Sequence, residues 1–208
     1  MYLRSVFLAA AAFPLAAFAQ VSATNVTLDS PFQVRYVSRL NVGDSVINIT
    51  NTGARGAGLG YGTSAAINGA ICVSVYAFSP DEQMVFCCSC PVTPNGLVSL
   101  SARSDLNDNT GLTLAMPTAL VIKLLATVPV GGSCYFSAGA PGARTSGLAA
   151  WGTTVHEWAG GVYGITETPF IPVTLSEGEL ARLTGLCTFI MANGGGFGIC
   201  RPCRVGGL

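Results

Sequence analysis

The sequence predicts a mainly β protein of the β-sandwich or Greek-key type, with a disulfide framework and one short carboxy-terminal helix. Three observations lead to this expectation. Short runs of β-branched and aromatic residues recur between turns rich in Gly, Pro, Asn and Ser, 26 of the 208 residues are glycine, and eight are cysteine. Short strands separated by frequent turns are typical of stacked antiparallel sheets.

Six segments carry the strand pattern. Residues 32–36 alternate Phe, Val and Tyr with Gln and Arg, so one face of this strand is apolar. The strongest β signal is at 71–78, which a turn joins to a return strand at 83–88, as in a hairpin. The other predicted strands cover residues 45–50, 97–102 and 119–126. Predicted loops cover residues 53–69, 105–110 and 137–150.

Two local motifs fix a turn and a helix. In the turn at 93–96, Pro94 presets φ and Asn95 tolerates positive φ. Ser176 is placed to cap the exposed amides of a helix, and Glu179 stands three residues on, as in a capping box. Apolar residues then recur at helical spacing, which predicts a helix over 177–186.

The first nineteen residues have the three parts of a secretory leader. Arg4 gives a positive start, residues 6–18 are apolar, and Ala17 and Ala19 are the small residues that signal peptidase requires. An uncleaved anchor is the alternative, but the apolar run is shorter than the roughly 20 residues of a bilayer span, and a proline interrupts it. We therefore predict cleavage after Ala19 and one mature domain over 20–208, without a transmembrane span. This domain would be secreted, periplasmic or held at the cell surface.

The composition argues against one class of partner. Only 10% of the residues are charged, Lys123 is the single lysine, and Lys plus Arg balances Asp plus Glu at ten each. Such a surface lacks the cationic field that displaces counterions from phosphates, so we expect no nucleic-acid partner. With 50% hydrophobic residues, the chain favours packing against copies of itself.

The cysteines all lie in the mature chain, and their even number after a leader predicts structural disulfides. They are Cys72, Cys87, Cys88, Cys90, Cys134, Cys187, Cys200 and Cys203. Eight cysteines allow about 105 pairings, among which the sequence does not choose. Adjacent Cys87 and Cys88 point to opposite faces if they lie on a strand, so they require different partners, one in the core and the other in a loop or the tail.

A metal site is the alternative for four of these cysteines. Cys88, Cys90, Cys200 and Cys203 would together offer four thiolates to a tetrahedral structural zinc, although export disfavours free thiolates. Redox catalysis by Cys200 and Cys203 is disfavoured, because no helix follows to lower a thiol pKa. No Cys-x-x-Cys-His sequence is present for covalent haem. We therefore expect no cofactor, with zinc as the alternative.

The single histidine limits the catalytic possibilities. His156 is alone, so multi-histidine metal sites are excluded and any Ser-His-Asp triad depends on this residue. No Gly-x-Ser-x-Gly elbow is present, and the even cysteine count leaves no free thiol nucleophile. We expect a hydrogen-bonded imidazole among aromatic rings and no catalytic residue.

Three further patterns bear on possible ligands. Asp105 to Asn109 alternates oxygen ligands as calcium loops do, without the glycine and bidentate glutamate of an EF-hand. Glu157 and Glu167 are a conceivable glycosidase pair. Aromatic residues near His156 either fill the core or form a platform for a sugar. The candidate ligand-binding residues are therefore Trp151, His156, Trp158 and Tyr163.

Several segments resemble a group of exported bacterial proteins of about this size. The likeness rests on residues 32–36 and 48–53, the Cys-Cys-Ser-Cys-Pro block at 87–91, and the Cys-x-x-Cys tail at 198–203. It covers most of the mature chain. Because the group carries no known activity, the resemblance implies export but transfers no functional residue.

The leading functional expectation is an exported non-enzymatic protein, a surface, matrix or adhesion component that acts by self-association. A carbohydrate-binding module that recognises surface glycans is the first alternative. A structural-zinc protein and a secreted hydrolase built on His156 are the others.

Overall fold

Two antiparallel β-sheets and a carboxy-terminal helix make up the computed structural model of the chain. It describes residues 29–57, 68–107, 115–135, 137–158, 160–194 and 198–204. The predicted leader, 1–19, lies outside these residues. Among the residues that are described, no helix combines the length and hydropathy needed to cross a membrane.

Nine strands, one α-helix and a short 3₁₀ helix are described. The strands are β1 Phe32–Val37, β2 Val46–Asn51, β3 Ile71–Phe78, β4 Met84–Val92, β5 Leu97–Ser101, β6 Leu120–Thr127, β7 Leu148–Trp158, β8 Val162–Pro169 and β9 Ile171–Pro172. Helix α1 spans Glu177–Ala192, and the 3₁₀ helix spans Arg201–Arg204. Sheet A has the order β4-β3-β6-β1-β9, and sheet B the order β5-β2-β7-β8. The predicted mainly β fold class, with one short carboxy-terminal helix, is confirmed.

The main core lies between the sheets. Alternate residues of β2, such as Ile47 and Ile49, face alternate residues of β6, such as Ile122 and Leu124, and all four are fully buried. Strand side chains alternate between faces, so every second apolar residue reaches this layer.

A second core lies between sheet A and helix α1. Tyr76 and Phe78 of β3 pack there with Leu183, Cys187 and Ile190 of the helix. Strand β3 is therefore buried on both faces, which explains why its sequence is a nearly continuous apolar run instead of an alternation.

Strand β1 confirms the predicted period of two, but its polar face is the more buried one. Phe32 and Val34 pack on the helix side of sheet A, where Tyr36 is exposed. Gln33 and Arg35 point between the sheets and are buried. The Gln33 amide is satisfied there, because Nε2 donates to the Leu148 carbonyl oxygen at 2.9 Å.

The predicted turn and the predicted helix cap are present in the structure, but the helix is longer than predicted. Asn95 has φ +61°, as the predicted turn requires. Ser176 Oγ accepts from the Glu179 amide at 3.1 Å, but the helix continues six residues beyond the predicted end at 186. Its second half is held by the buried Cys187 and Ile190, a tertiary contact that helix propensity does not report.

Several predicted boundaries need correction. Strand β4 runs through the Cys-Cys-Ser-Cys block to Val92, past the predicted end at 88, because β3 pairs with it along its whole length. Strand β7 begins at Leu148, inside the predicted loop 137–150, where it pairs with β2. Strands β8 and β9 were not predicted. Part of the predicted loop 53–69 falls outside the described residues.

Candidate functional site

The outer face of sheet B is the exposed surface that carries the predicted aromatic candidates. Trp151 on β7 pairs with Asn48 of β2 and with Pro169 of β8, and its side chain is half-buried on this face. Tyr163 on β8 pairs with Glu157 and shares the face, since residues 151 and 157 are an even number apart on one strand. The structure thus places Trp151 and Tyr163 on one surface.

Large apolar side chains accompany these aromatic residues. Tyr163 is 56% exposed, Ile165 69% and Leu97, on the opposite edge strand, 68%. Leu97 belongs to the same outer face, because its register partner Thr50 lies two residues from Asn48. Ile165 was missed from the sequence, because Gly164 and polar residues interrupt the alternation of β8, and the Gly160-Gly161 turn was the main local signal for a strand.

A series of side-chain hydrogen bonds crosses the same face. Asn48 Nδ2 donates to Glu167 Oε1 at 2.8 Å, and Ser99 Oγ donates to Asn48 Oδ1 at 2.7 Å. Three strands of sheet B are therefore linked by side-chain hydrogen bonds on the exposed surface. The result is an exposed face with aromatic, aliphatic and hydrogen-bonding groups.

His156 stands on the other face of β7. Its Nε2 lies 2.8 Å from Thr166 Oγ1 on β8, and the side chain is half-buried. The alternation of the strand turns His156 away from Glu157 and from Glu167, which pairs with Thr153. The structure therefore does not bring His156 together with either glutamate. The Trp158 side chain, another predicted candidate, lies outside the described part of the structure.

The two glutamates share the outer face, but their backbone positions are far apart for a glycosidase pair. Their register partners, Tyr163 and Thr153, place them four residues apart along the hairpin, about 13 Å. Paired catalytic carboxyl groups lie about 5 to 9.5 Å apart. Glu167 is also held by Asn48.

A buried cation lies beneath this part of sheet B. Arg35 of β1 reaches across to β7 and β8, where its guanidinium donates to the Thr168 carbonyl oxygen at 2.8 Å, to Thr168 Oγ1 and to Thr154 Oγ1. Burial lowers the Arg35 pKa, and the Glu167 carboxylate partly offsets this shift. Gly152 makes room for it, since a Cβ there would lie 2.3 Å from Arg35 Nε. No role for Arg35 was predicted from the sequence.

The eight cysteines form four disulfides: Cys72–Cys134, Cys87–Cys187, Cys88–Cys200 and Cys90–Cys203. The prediction that Cys87 and Cys88 face opposite ways is confirmed. Cys88 joins the tail, whereas Cys87 joins helix α1 and not a loop.

The four cysteines of the zinc alternative do lie together. The Sγ atoms of Cys90, Cys200 and Cys203 are within 4.8 Å of one another, and Cys88 is bonded to Cys200. In this pairing they are disulfides and not the thiolates that zinc binds. Zinc binding by the reduced cysteines stays a prediction.

The acidic loop offers little for calcium within the described residues. Asp105 Oδ2 accepts from the Ser101 amide at 2.8 Å, and Asn107 Nδ2 donates to the Pro117 carbonyl oxygen at 2.9 Å. Both side chains thus have a local structural role. Residues 108 and 109, which complete the predicted pattern, lie outside the described residues.

Comparisons with protein families, with curated proteins and with solved structures found no match to this chain. The fold and the candidate site nevertheless define a class of protein. The chain is a disulfide-bonded protein of two antiparallel sheets, one covered on both faces and the other exposing an aromatic and aliphatic face.

Proposed function

We propose that the protein is an exported, non-enzymatic surface, matrix or adhesion component that associates with copies of itself through sheet B. The observation that carries this proposal is the outer face of that sheet at β8, where Tyr163 and Ile165 are each more than half exposed. Exposed apolar side chains on one contiguous face favour association.

Export is supported by two independent features. The predicted leader ends at Ala19, and four disulfides join all eight cysteines. Disulfides persist in oxidising compartments outside the cytoplasm. The intact mass of the exported protein, measured without reductant, would identify a mature chain that begins at Gln20.

The arrangement of side chains supports binding to another molecule better than it supports catalysis. His156 is directed away from both nearby glutamates, and its ring is engaged with Thr166. The outer face, in contrast, presents its groups to solvent. Self-association through a low-charge sheet needs no further chemistry.

The test is sedimentation of the mature, disulfide-bonded protein. We expect an assembly larger than a monomer, which the double variant Tyr163→Ser/Ile165→Ser converts to smaller species. Leu97→Ser, which removes an equally exposed side chain from the far edge of the same sheet, is the matched control and should leave the assembly intact. A wild-type protein that stays monomeric at every concentration would contradict self-association.

A glycan ligand is the second candidate, because Trp151 and Tyr163 share the outer face. Six residues of strand separate their positions, about 20 Å, and Glu167, which accepts a hydrogen bond from Asn48, lies between them on β8. Aromatic faces and amide or carboxylate groups suit a sugar chain. A glycan-array screen should give hits that Trp151→Ala and Tyr163→Ala both abolish. Hits that survive both substitutions would remove this candidate.

A further inference from the structure

The two sheets have four edges, and they are not equally protected. At β4 the tail covers the edge: Ser89 donates its amide to the Gly198 carbonyl oxygen at 3.2 Å, and the Cys200 amide donates to the Ser89 carbonyl oxygen at 3.0 Å. Strand β9 has two residues and includes Pro172, while β5 has five residues. Covering segments, proline and shortness are the usual protections of a sheet edge.

The fourth edge, β8, is open. It has eight residues, seven of them exposed, and in the described part of the chain it pairs with β7 alone. Glu167 is its single charged residue, and Pro169 is its last residue. A long, weakly charged edge strand is a template for pairing with another strand.

The register shows which backbone groups face this edge. Phe170 donates its amide to the Ala150 carbonyl oxygen at 2.9 Å, so every second pair counted from this one is hydrogen-bonded between β7 and β8. The amides and carbonyls of Tyr163, Ile165 and Glu167 fall on the alternate pairs and point away from β7. These three residues also carry the side chains of the outer face.

We propose that β8 pairs antiparallel with β8 of a second copy, about a two-fold axis at Ile165. This inference deepens the proposed function and rests on it. The axis pairs Tyr163 with the partner's Glu167 and Ile165 with the partner's Ile165, so residues with edge-facing backbone groups meet one another. Two four-stranded sheets become one eight-stranded sheet with a continuous outer face.

A second copy fits this edge better than an unrelated strand for two reasons. The interface is isologous, and because β8 is the longest unpaired edge of the described sheets and pairing occupies it, the assembly closes at a dimer. The charges also match: Glu167 meets a phenol and not another carboxylate across the axis, so the like charges are kept apart.

The test uses two substitutions at one position in the mature, disulfide-bonded protein. Ile165→Pro removes an amide that faces the edge and places its ring there, whereas Ile165→Thr keeps the amide and a β-branched side chain. We expect Ile165→Pro to weaken the dimer by about tenfold or more and Ile165→Thr by less than about threefold. Sedimentation equilibrium measures both.

A fold control accompanies these variants. The Ile165 amide does not bond to β7, so Ile165→Pro should keep the thermal midpoint of the wild type at a protein concentration where both are monomeric. Thr166→Pro removes an amide that bonds to β7 and should lower the thermal midpoint. An equal fall in thermal midpoint for Ile165→Pro and Thr166→Pro would show that the assigned alternation of amides between β7 and the open edge is wrong. That result would overturn the inference.

The outcomes separate the inference from the proposed function. A dimer that survives Ile165→Pro overturns edge pairing but leaves self-association through another surface. Equal loss in Ile165→Pro and Ile165→Thr overturns the backbone ladder and assigns association to side chains of the face. A monomeric wild type overturns both, and capture of an unrelated extended peptide by that monomer would reassign the edge to a different partner.

Discussion

The two sheets differ in how they are covered and in how they are held. Sheet A is packed on one face by sheet B and on the other by helix α1, so every residue of β3 is buried. Sheet B is packed on one face, and its edge strand β8 is exposed along nearly its whole length. The covered layer and the exposed layer of the molecule are therefore different sheets.

The disulfides are also divided unequally between the two sheets. Each of the four disulfides has one end on β3 or β4 of sheet A, and none joins a strand of sheet B. Between the sheets, Arg35 links β1 to β7 and β8 by hydrogen bonds. Sheet A is therefore the disulfide-bonded frame, and sheet B is attached to it without disulfides.

The largest expected effect comes from removing a disulfide of sheet A. Replacing Cys72 and Cys134 by serine opens a loop of 62 residues, and the gain in unfolded-chain entropy should lower the free energy of unfolding by about 4 kcal/mol. Denaturant unfolding measures this loss. The Cys87–Cys187 bridge is the matched case and should cost slightly less, about 3 kcal/mol, because the remaining Cys88–Cys200 bridge keeps the same part of the chain closed. An unchanged denaturation midpoint in both variants would contradict the assignment of stability to sheet A.

The next effect tests the link between the sheets. A Cβ added at Gly152 would lie 2.3 Å from Arg35 Nε and 2.6 Å from Arg35 Cδ, so Gly152→Ala should destabilise the protein by about 2 kcal/mol. Arg35→Val removes those atoms. In the double variant the total loss should be smaller than the sum of the two single losses, because the overlap is gone. Additive losses would show that this contact does not hold the sheets together.

The smallest effect is a pH dependence on the helix side of sheet A. Burial raises the pKa of Tyr76 above its ordinary value near 10, and the phenol donates to the Ala138 carbonyl oxygen at 2.8 Å. Above pH 10 the unfolded chain releases this proton while the folded chain keeps it, so stability falls as the pH rises. Below pH 10 both states hold the proton, and this contribution to stability is complete.

Tyr76→Phe separates the two parts of that effect. At pH 7 the variant should lose about 1 kcal/mol, because the buried Ala138 carbonyl loses its donor. Above pH 10 its stability should fall less steeply than that of the wild type. Unfolding curves at pH 7, 10 and 11 make the comparison, and equal slopes for the two proteins would contradict the role of Tyr76. The exposed Tyr36→Phe is the control.

Prediction from the sequence succeeded where the signal is local. The strand at 71–78, the Asn95 turn and the Ser176 cap follow from residue type and spacing. It failed at β8, whose alternation is interrupted by Gly164 and polar residues. A solvent-exposed edge strand buries little apolar surface, so its sequence carries a weak hydrophobic pattern.

The candidate site was predicted only in part. Trp151 and Tyr163 were named from residue type, and the structure places them on one face, but His156 falls on the other. The assignment of faces depends on whether a residue is odd or even in the strand register. A sequence without fixed strand boundaries does not supply that parity.

The sequence by itself determined the fold class, the even set of cysteines and the opposite directions of Cys87 and Cys88, because these depend on composition and on the geometry of neighbouring residues. Only the tertiary structure decided which cysteines pair, that the polar side of β1 is buried, and that β8 is left open. Each of these depends on contacts between residues far apart in the chain, and local propensity contains no term for such contacts.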